Sequence, residues 1–274
     1  MKIGLGLPAI ADRAVLLEWA GRADAGSFST LALLDRLVYD NPEPLVTLSV
    51  LAGATERIRL QTEVLLAPLR ETPLLAKQAA TLDRLSGGRF TLGIGVGGRE
   101  DDFAVAGVDL ATRGRRLDRQ MTELFQLWSG KVVGPAPLEG SPEVLFGAFR
   151  PAALARVAKF GHGLIAAGAA QWRPRVIETV REQWQAAGRP GQPRIVIQVN
   201  ATLRTAADEA RTNVLAYYGE PYGHQVAAGL LDTPEQLLAA IADAEHAGAD
   251  ELILYNWSTD PNQVTEIAAV IAAG

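Results

Sequence analysis

The sequence predicts an α/β protein built as a single-domain (β/α)8 barrel, the TIM-barrel architecture. Three observations favour this fold. Eight short apolar runs alternate with helical patterns, and several of these runs are apolar on both faces, as strands of a parallel sheet covered on both sides are. The chain has 274 residues, close to the length of about 250 at which such a barrel is a standard solution. We expect one domain over residues 1–274.

The strands are predicted from short apolar or alternating runs bounded by turn residues. In chain order these runs cover residues 2–7, 30–35, 58–66, 90–96, 144–148, 163–168, 195–203 and 251–256. The fourth run is distinctive, because bulky side chains alternate with Thr91, Gly93, Gly95 and Gly97. A strand face that is nearly bare lets a flat ligand or another backbone approach closely.

The helices are predicted from apolar residues at helical spacing and from their end signals. Prolines open several of them, including Pro44 and Pro151, and glycines such as Gly87 end them. They begin near residues 15, 44, 72, 114, 151, 173, 205, 234 and 262. Residues 97–113 and 219–231 have no helical period, and the acidic run at 100–102 is expected to be solvated. Long connections of this kind are often functional.

A doubly wound sheet is the alternative fold for alternating strands and helices. That fold needs a phosphate-binding GxGxxG loop after its first strand, and none follows residue 7. Gly93, Gly95 and Gly98 have this spacing, but the first two lie within a predicted strand. The barrel is therefore the better interpretation.

The composition argues against several classes of function. A net charge of -5 does not suggest binding to nucleic acid. The chain has no cysteine, and its three histidines are not at metal-ligand spacing, so a zinc enzyme or a metal-dependent barrel hydrolase lacks ligands. No apolar run approaches the roughly 20 residues of a membrane span, and the first residues do not resemble a signal peptide. We expect a cytoplasmic protein.

Candidate catalytic residues are sought at the carboxyl ends of the strands, where barrel enzymes place their sites. Asp35 and Arg36 end the second strand and are either catalytic or a salt-bridged pair. Glu63 lies among apolar residues of the third strand, where an unpaired carboxylate is costly. It is either an acid with a raised pKa or the partner of an arginine inside the barrel.

Small residues end the fifth and sixth strands, where they can expose backbone N–H groups to an anion. They are Gly147 and Ala148 before Pro151, followed by Ala166, Ala167 and Gly168. A helix amino terminus and Arg150 would add positive potential. Tight turns also favour small residues without any ligand. Gln198 and Asn200 of the seventh strand either face a flat heterocycle or pair with each other.

Four segments make the chain similar to the bacterial luciferase-like family of flavin-dependent oxidoreductases. The resemblance covers nearly the whole chain and is most specific over residues 54–118. The matching segments are residues 54–60, 75–89, 93–97 and 112–118. The resemblance implies an enzyme that binds reduced FMN or coenzyme F420 in a barrel and acts on a small organic substrate. It also implies a homodimer formed through helices near residues 44–55 and 73–85.

By position, the resemblance places the cofactor ring near Asp35, Thr62 and Glu63, with Gly95, Val96 and Gly97 beside it. It places the phosphate near the small residues that follow the fifth and sixth strands. We expect Asp35, Arg36 and Glu63 to be the catalytic residues.

The chain departs from the family at three places. Arg36 stands where a histidine is common, Ala148 where a glycine is common, and the segment after the seventh strand is short. A flavin-binding protein with little catalysis therefore stays open as the alternative. The sequence does not separate monooxygenation from hydride transfer.

Overall fold

A computed structural model describes residues 1–168 and 170–274, with only the backbone at Thr205. It confirms the predicted fold: parallel strands form a closed barrel in which β1 pairs with both β2 and β9. The strands are β1 (Lys2–Gly6), β2 (Thr30–Leu33), β3 (Arg59–Thr62), β4 (Leu65–Leu66), β5 (Phe90–Gly95), β6 (Glu143–Gly147), β7 (Gly163–Ala166), β8 (Arg194–Asn200) and β9 (Glu251–Tyr255).

The third strand of the barrel is interrupted, where the sequence predicted one continuous run. Its halves β3 and β4 both pair with β5. Glu63 and Val64 lie between the halves and are joined by a cis peptide bond. The Glu63 backbone N–H still donates to the Leu33 carbonyl at 2.7 Å, so Glu63 keeps its place beside β2.

The helices surround the barrel. They are α1 (Arg13–Ala25), α2 (Pro44–Ala54), α3 (Thr72–Leu85), α4 (Glu100–Val105), α5 (Arg113–Leu127), α6 (Pro151–Phe160), α7 (Arg173–Ala186), α8 (Ala207–Tyr218), α9 (Tyr222–Ala228), α10 (Pro234–His246) and α11 (Asn262–Ala273). The short helices α4 and α9 correct the prediction of two segments without helix. None of the helices in the described residues has the length and apolar character needed to cross a membrane.

The apolar core has two layers because strands in a parallel barrel bury both faces. The outer layer lies between the strands and the surrounding helices. The inner layer fills the barrel, as branched side chains usually do in this fold. It consists of Ala32, Leu145, Ile165, Val196 and Ile253, with Val64 packed against them.

Ion pairs close the amino-terminal end of the barrel. Arg194 bridges Glu143 and the fully buried Glu251, and Arg59 lies 3.3 Å from Glu143. Thr30 also donates to Glu251 at 2.6 Å. These charges satisfy one another at the end of the barrel that usually contributes to stability, so we assign them a structural role.

An aromatic cluster covers one side of the opposite end. Tyr217 of α8 lies 5.1 Å from Trp257 and 5.0 Å from Tyr39, measured between ring centroids. Tyr218 and Tyr255 also contact Trp257. The cluster packs on the carboxyl ends of β1, β2 and β9, so helices α8 and α9 cover this side of the mouth.

Candidate functional site

The open side of the barrel mouth contains a cavity of about 680 Å³, a size typical of small-molecule sites. Its floor is formed by the upper inward-facing positions of five adjacent barrel strands. These positions are Glu63, Gly95, Gly147, Ala167 and Gln198. The cavity therefore lies where the sequence predicted the site.

Glycines in the floor make room for neighbouring protein atoms. A Cβ at Gly95 would lie 2.6 Å from Val64 Cγ2, and one at Gly147 would lie 2.9 Å from Val64 Cγ1. A Cβ at Gly93 would lie 1.9 Å from the carbonyl oxygen of Thr62. The nearly bare face of β5 thus admits a backbone at Gly93 and the Val64 side chain at Gly95, and Val64 forms an apolar part of the floor.

Glu63 is a buried acid that lines the cavity. Its Oε2 accepts a hydrogen bond from the Gln61 amide, while Oε1 has no partner within residues 1–168 and 170–274. Burial raises the pKa of Glu63 to about 8, against a smaller lowering by the Gln61 amide. No arginine pairs with it within hydrogen-bond distance in the described chain. Of the two alternatives for Glu63, the geometry matches the acid with a raised pKa.

Asp35 does not line the cavity. Its Oδ2 accepts hydrogen bonds from Arg70 at 3.0 Å and from the Leu66 backbone at 2.9 Å. Burial nevertheless raises the pKa of the Asp35 carboxyl, while Arg70 opposes that shift. Asp35 therefore holds the end of β4 in place instead of reaching a ligand.

Arg36 also points away from the cavity. It donates to Asp102 at 2.5 Å and to Asp101 at 2.8 Å, and its guanidinium lies 5.6 Å from the ring centroid of Tyr217. Asp102 is fully buried and accepts hydrogen bonds from the backbone of Leu37 as well. The expectation that the acidic run is solvated is wrong at Asp102, and Asp35 and Arg36 are not paired with each other.

The cofactor-contact residues predicted near β3 and β5 divide into two groups. Thr62 is fully buried and donates to the Gly93 carbonyl at 2.6 Å, so its side chain does not reach the cavity. Val96 and Gly97 do line it beside Gly95. Gly97 has a φ of 71°, which glycine adopts at little cost.

The residues predicted to bind phosphate are mostly near the cavity. Gly147, Ala148 and Ala167 line it, together with Ala152 and Ala153 from the first turn of α6. Ala166 and Gly168 instead line a small adjoining space of about 20 Å³. The amino terminus of α6 therefore directs its positive dipole end to one side of the cavity, while the Ala153 N–H already donates to the Arg150 carbonyl at 2.9 Å.

Two of the three arginines on this side, Arg113 and Arg156, were not recognised as site residues from the sequence alone, whereas Arg150 was named as a source of positive potential. Arg113 and Arg156 line the cavity with Arg150. Arg156 is oriented by Asp118 at 2.7 Å and by the Gly114 carbonyl at 3.1 Å. Arg113 and Gly114 belong to the segment on which the family resemblance rests, so their motif was the available signal. Three guanidinium groups beside a helix terminus favour an anionic ligand group.

Gln198 and Asn200 do not pair with each other. Gln198 lines the cavity, whereas Asn200 accepts a hydrogen bond from the Trp257 indole at 2.9 Å. Gln198 is thus available to a ligand and Asn200 supports the aromatic cluster. Across the described residues, no group of three or more His, Cys, Asp or Glu side chains is arranged to hold a metal ion.

Comparison with protein families gives one full-length match. The family described as luciferase-like monooxygenase matches residues 3–272. This range includes every described residue of the cavity and all of the barrel strands except Lys2, the first residue of β1.

Curated relatives match the chain at 26–27% identity. An uncharacterized protein of Mycobacterium tuberculosis is 27% identical over 256 residues, which cover 78% of this chain and 88% of the relative. The 4-hydroxyprotoasukamycin monooxygenase of Streptomyces nodosus subsp. asukaensis is 26% identical over 184 residues, covering 61% of this chain and 47% of the enzyme.

Solved structures share the fold at low sequence identity. An F420-dependent secondary alcohol dehydrogenase in complex with an F420-acetone adduct superposes with a TM-score of 0.82 at 18% identity, covering 99% of this chain and 98% of that one. The oxygenating constituent of 3,6-diketocamphane monooxygenase from Pseudomonas putida, in complex with FMN, gives 0.76 at 17% identity, with 99% and 96% covered.

Proposed function

Because this chain belongs to the luciferase-like monooxygenase family of enzymes, we propose that it binds reduced FMN or coenzyme F420 in the barrel cavity and carries out redox chemistry on a small organic substrate. One observation carries the proposal: a part of the floor that consists of glycines and Val64 lies beside an arginine-rich helix terminus. A planar ring system linked to an anionic group matches both features.

The residues present fit such a cofactor. Gly95, Gly147 and Val64 would support the ring, and Gln198 would offer an amide to its polar edge. The first turn of α6, with Arg113 and Arg150, would bind the phosphate. When bound, the cofactor supplies the two-electron chemistry, while the protein positions the reactants.

Glu63 is the proposed acid. It is the one carboxylic acid among the described cavity-lining residues, and with a pKa of about 8 it holds its proton at neutral pH. An acid tuned close to the working pH is suited to protonating an oxygen atom that gains charge during reduction or oxygen transfer. Asp35 and Arg36 are proposed to position the surrounding loops.

A specific observation keeps a flavin-binding protein with little catalysis as the second candidate. The ionisable side chains of Asp35 and Arg36 are held in ion pairs, so Glu63 alone remains for proton transfer among the described lining residues. An inert Glu63 would leave binding without catalysis.

The decisive experiment is a titration of the purified protein with FMN and with F420, with binding measured by fluorescence. We expect one of them to bind with micromolar affinity or better. In the variant Ala167→Trp, the exposed Ala167 at the cavity floor gains a bulky side chain, and we expect affinity to fall at least about tenfold because the ring's space is filled.

Ala272→Trp is the matched control, because Ala272 is exposed near the end of α11 and does not line the cavity. Failure of both cofactors to bind, or equal affinity of the two variants, would contradict the proposed site. If the bound reduced cofactor is reoxidised at a rate that no candidate substrate changes, the second candidate is favoured.

We also propose a homodimer formed through α2 and α3. Helix α2 has no charged side chain along its length, and its Val46 is 62% exposed. Val50 and Leu74 are exposed on the same pair of helices. A helix that is apolar all round is normally buried, so a second copy of this chain is the proposed cover.

A further inference from the structure

Gln61 lies two residues before Glu63 in the third barrel strand. Since side chains alternate along a strand, both residues face the barrel interior. Gln61 is fully buried and Glu63 is 7% exposed. Gln61 pairs in register with Ala32 of the inner core, and Glu63 lies one step nearer the cavity.

The two side chains share a single hydrogen bond. The Gln61 Nε2 atom donates to Glu63 Oε2. Both Gln61 Oε1 and Glu63 Oε1 are buried without a hydrogen-bond partner in the described part of the chain. Because Oε2 already accepts a hydrogen bond, the neutral acid is best arranged with Oε2 as its carbonyl oxygen and its proton on Oε1.

Other charged groups act on Glu63 only at longer range. Glu251 of β9 disfavours its ionisation and Arg194 of β8 favours it, and both belong to the ion-pair group at the far end of the barrel. The buried Tyr255 hydroxyl of β9 also acts on it, and its oxygen accepts a hydrogen bond from the Leu34 backbone N–H at 3.1 Å. Gln61 is thus the direct contact that can orient the acid.

We propose that Gln61 is a positioning residue that fixes the Glu63 carboxyl so that Oε1, a buried oxygen beneath the cavity floor, carries the proton that Glu63 releases. The inference rests on the proposed function, in which Glu63 is the acid. When the O–H bond of Oε1 breaks, its electron pair stays on the carboxylate and the proton moves to the acceptor atom of the substrate. The Gln61 hydrogen bond then strengthens, because Oε2 shares the negative charge.

The test is an infrared titration of the protein without cofactor, comparing wild type with Gln61→Met. The Glu63 carbonyl band is identified by its loss in Glu63→Gln. A hydrogen bond to a carboxylate favours ionisation, so its removal should raise the Glu63 midpoint by about one pH unit and shift the carbonyl band to higher frequency.

Gln198→Met is the matched control, since it removes an amide that lines the cavity but does not contact Glu63. We expect it to leave the Glu63 midpoint and band unchanged. A midpoint in Gln61→Met equal to that of wild type shows that Gln61 only fills space. A lower midpoint shows that Gln61 accepts the proton's hydrogen bond instead; either result overturns the assignment.

Failure of the proposed function is recognised separately. If Glu63 in the wild type titrates at the ordinary value of an exposed glutamate, its role as the neutral acid is wrong whatever Gln61 does.

If circular dichroism shows that Gln61→Met is unfolded, Gln61→Leu replaces it. The wild-type spectrum also decides alone, because a carbonyl band typical of a free acid would exclude the Gln61 contact.

Discussion

Glu63 is protonated in the barrel at pH values at which a glutamate in water is ionised. Its pKa is raised from 4.5 to about 8, so the folded protein retains a proton that the unfolded chain releases. Between these two values the unfolded state gains stability from ionisation as the pH rises, and the folded state does not. Glu63 therefore costs stability that increases from about pH 4.5 to about pH 8.

The variant Glu63→Gln removes this ionisation while keeping the shape of the side chain. We expect its free energy of unfolding to exceed that of wild type by at most about 5 kcal/mol at pH 8. At pH 4.5 the two free energies should differ little. Urea unfolding at several pH values measures the difference. A difference that stays constant with pH would show that Glu63 is not protonated in the folded state.

The side chains that face the cavity were predicted correctly where strand alternation was applied, and they were missed where it was not. Glu63 lines the cavity, but its neighbour Thr62 points outward and bonds to the Gly93 carbonyl, because side chains alternate along a strand. Sequence alone could not show that Asp35 is bound by Arg70, 35 residues away. Arg113 was missed because local patterns do not reveal which arginine borders a cavity.

At the scale of elements, helix α4 is anchored to the loop after β2 by one acid. Asp102 is fully buried and receives hydrogen bonds from Arg36 and from the backbone of Leu37 and Val38. Arg99, immediately before α4, donates to the Tyr217 carbonyl at 2.8 Å. Helix α4 thus connects the cavity rim to the aromatic cluster.

Asp102→Ala should destabilise the protein by about 3 kcal/mol, because it leaves a buried guanidinium and two backbone N–H groups with fewer partners. Asp101→Ala is the control. The Asp101 side chain is 55% exposed, so its loss should cost less than about 1 kcal/mol. Equilibrium unfolding in urea measures the loss of stability in each variant. Equal losses would show that Asp102 anchors α4 no more strongly than Asp101 does.

The regular elements were predictable because their signals are local. Prolines at helix starts and apolar runs located the eight barrel units within a few residues. Helices α4 and α9 were not predicted, since they span Glu100–Val105 and Tyr222–Ala228 and are too short to show a period. The interruption at Glu63 and Val64 is likewise defined by packing against β5, which the sequence does not display.

At the scale of the whole molecule, the uncharged helix α2 is the main unexplained surface of a single copy. Val46→Glu combined with Val50→Glu would place two charges on its exposed face. We expect wild type to be a dimer at micromolar concentration and the double variant a monomer, because unpaired charges in an apolar interface are costly.

Light scattering coupled to size-exclusion chromatography measures the mass of each form. Val105→Glu is the control, since Val105 is 68% exposed on α4 and lies outside the proposed interface. The proposal is wrong if wild type is monomeric or if the double variant remains dimeric.

The ion pairs among Arg59, Glu143, Arg194 and Glu251 have a kinetic consequence. They close the amino-terminal end of the barrel, and the aromatic cluster covers one side of the other end, so molecules share one route in and out. Two ligands on a single route cannot exchange independently when one lies above the other. With the proposed cofactor on the floor, the substrate must bind second and its product must leave first, which is an ordered sequential mechanism.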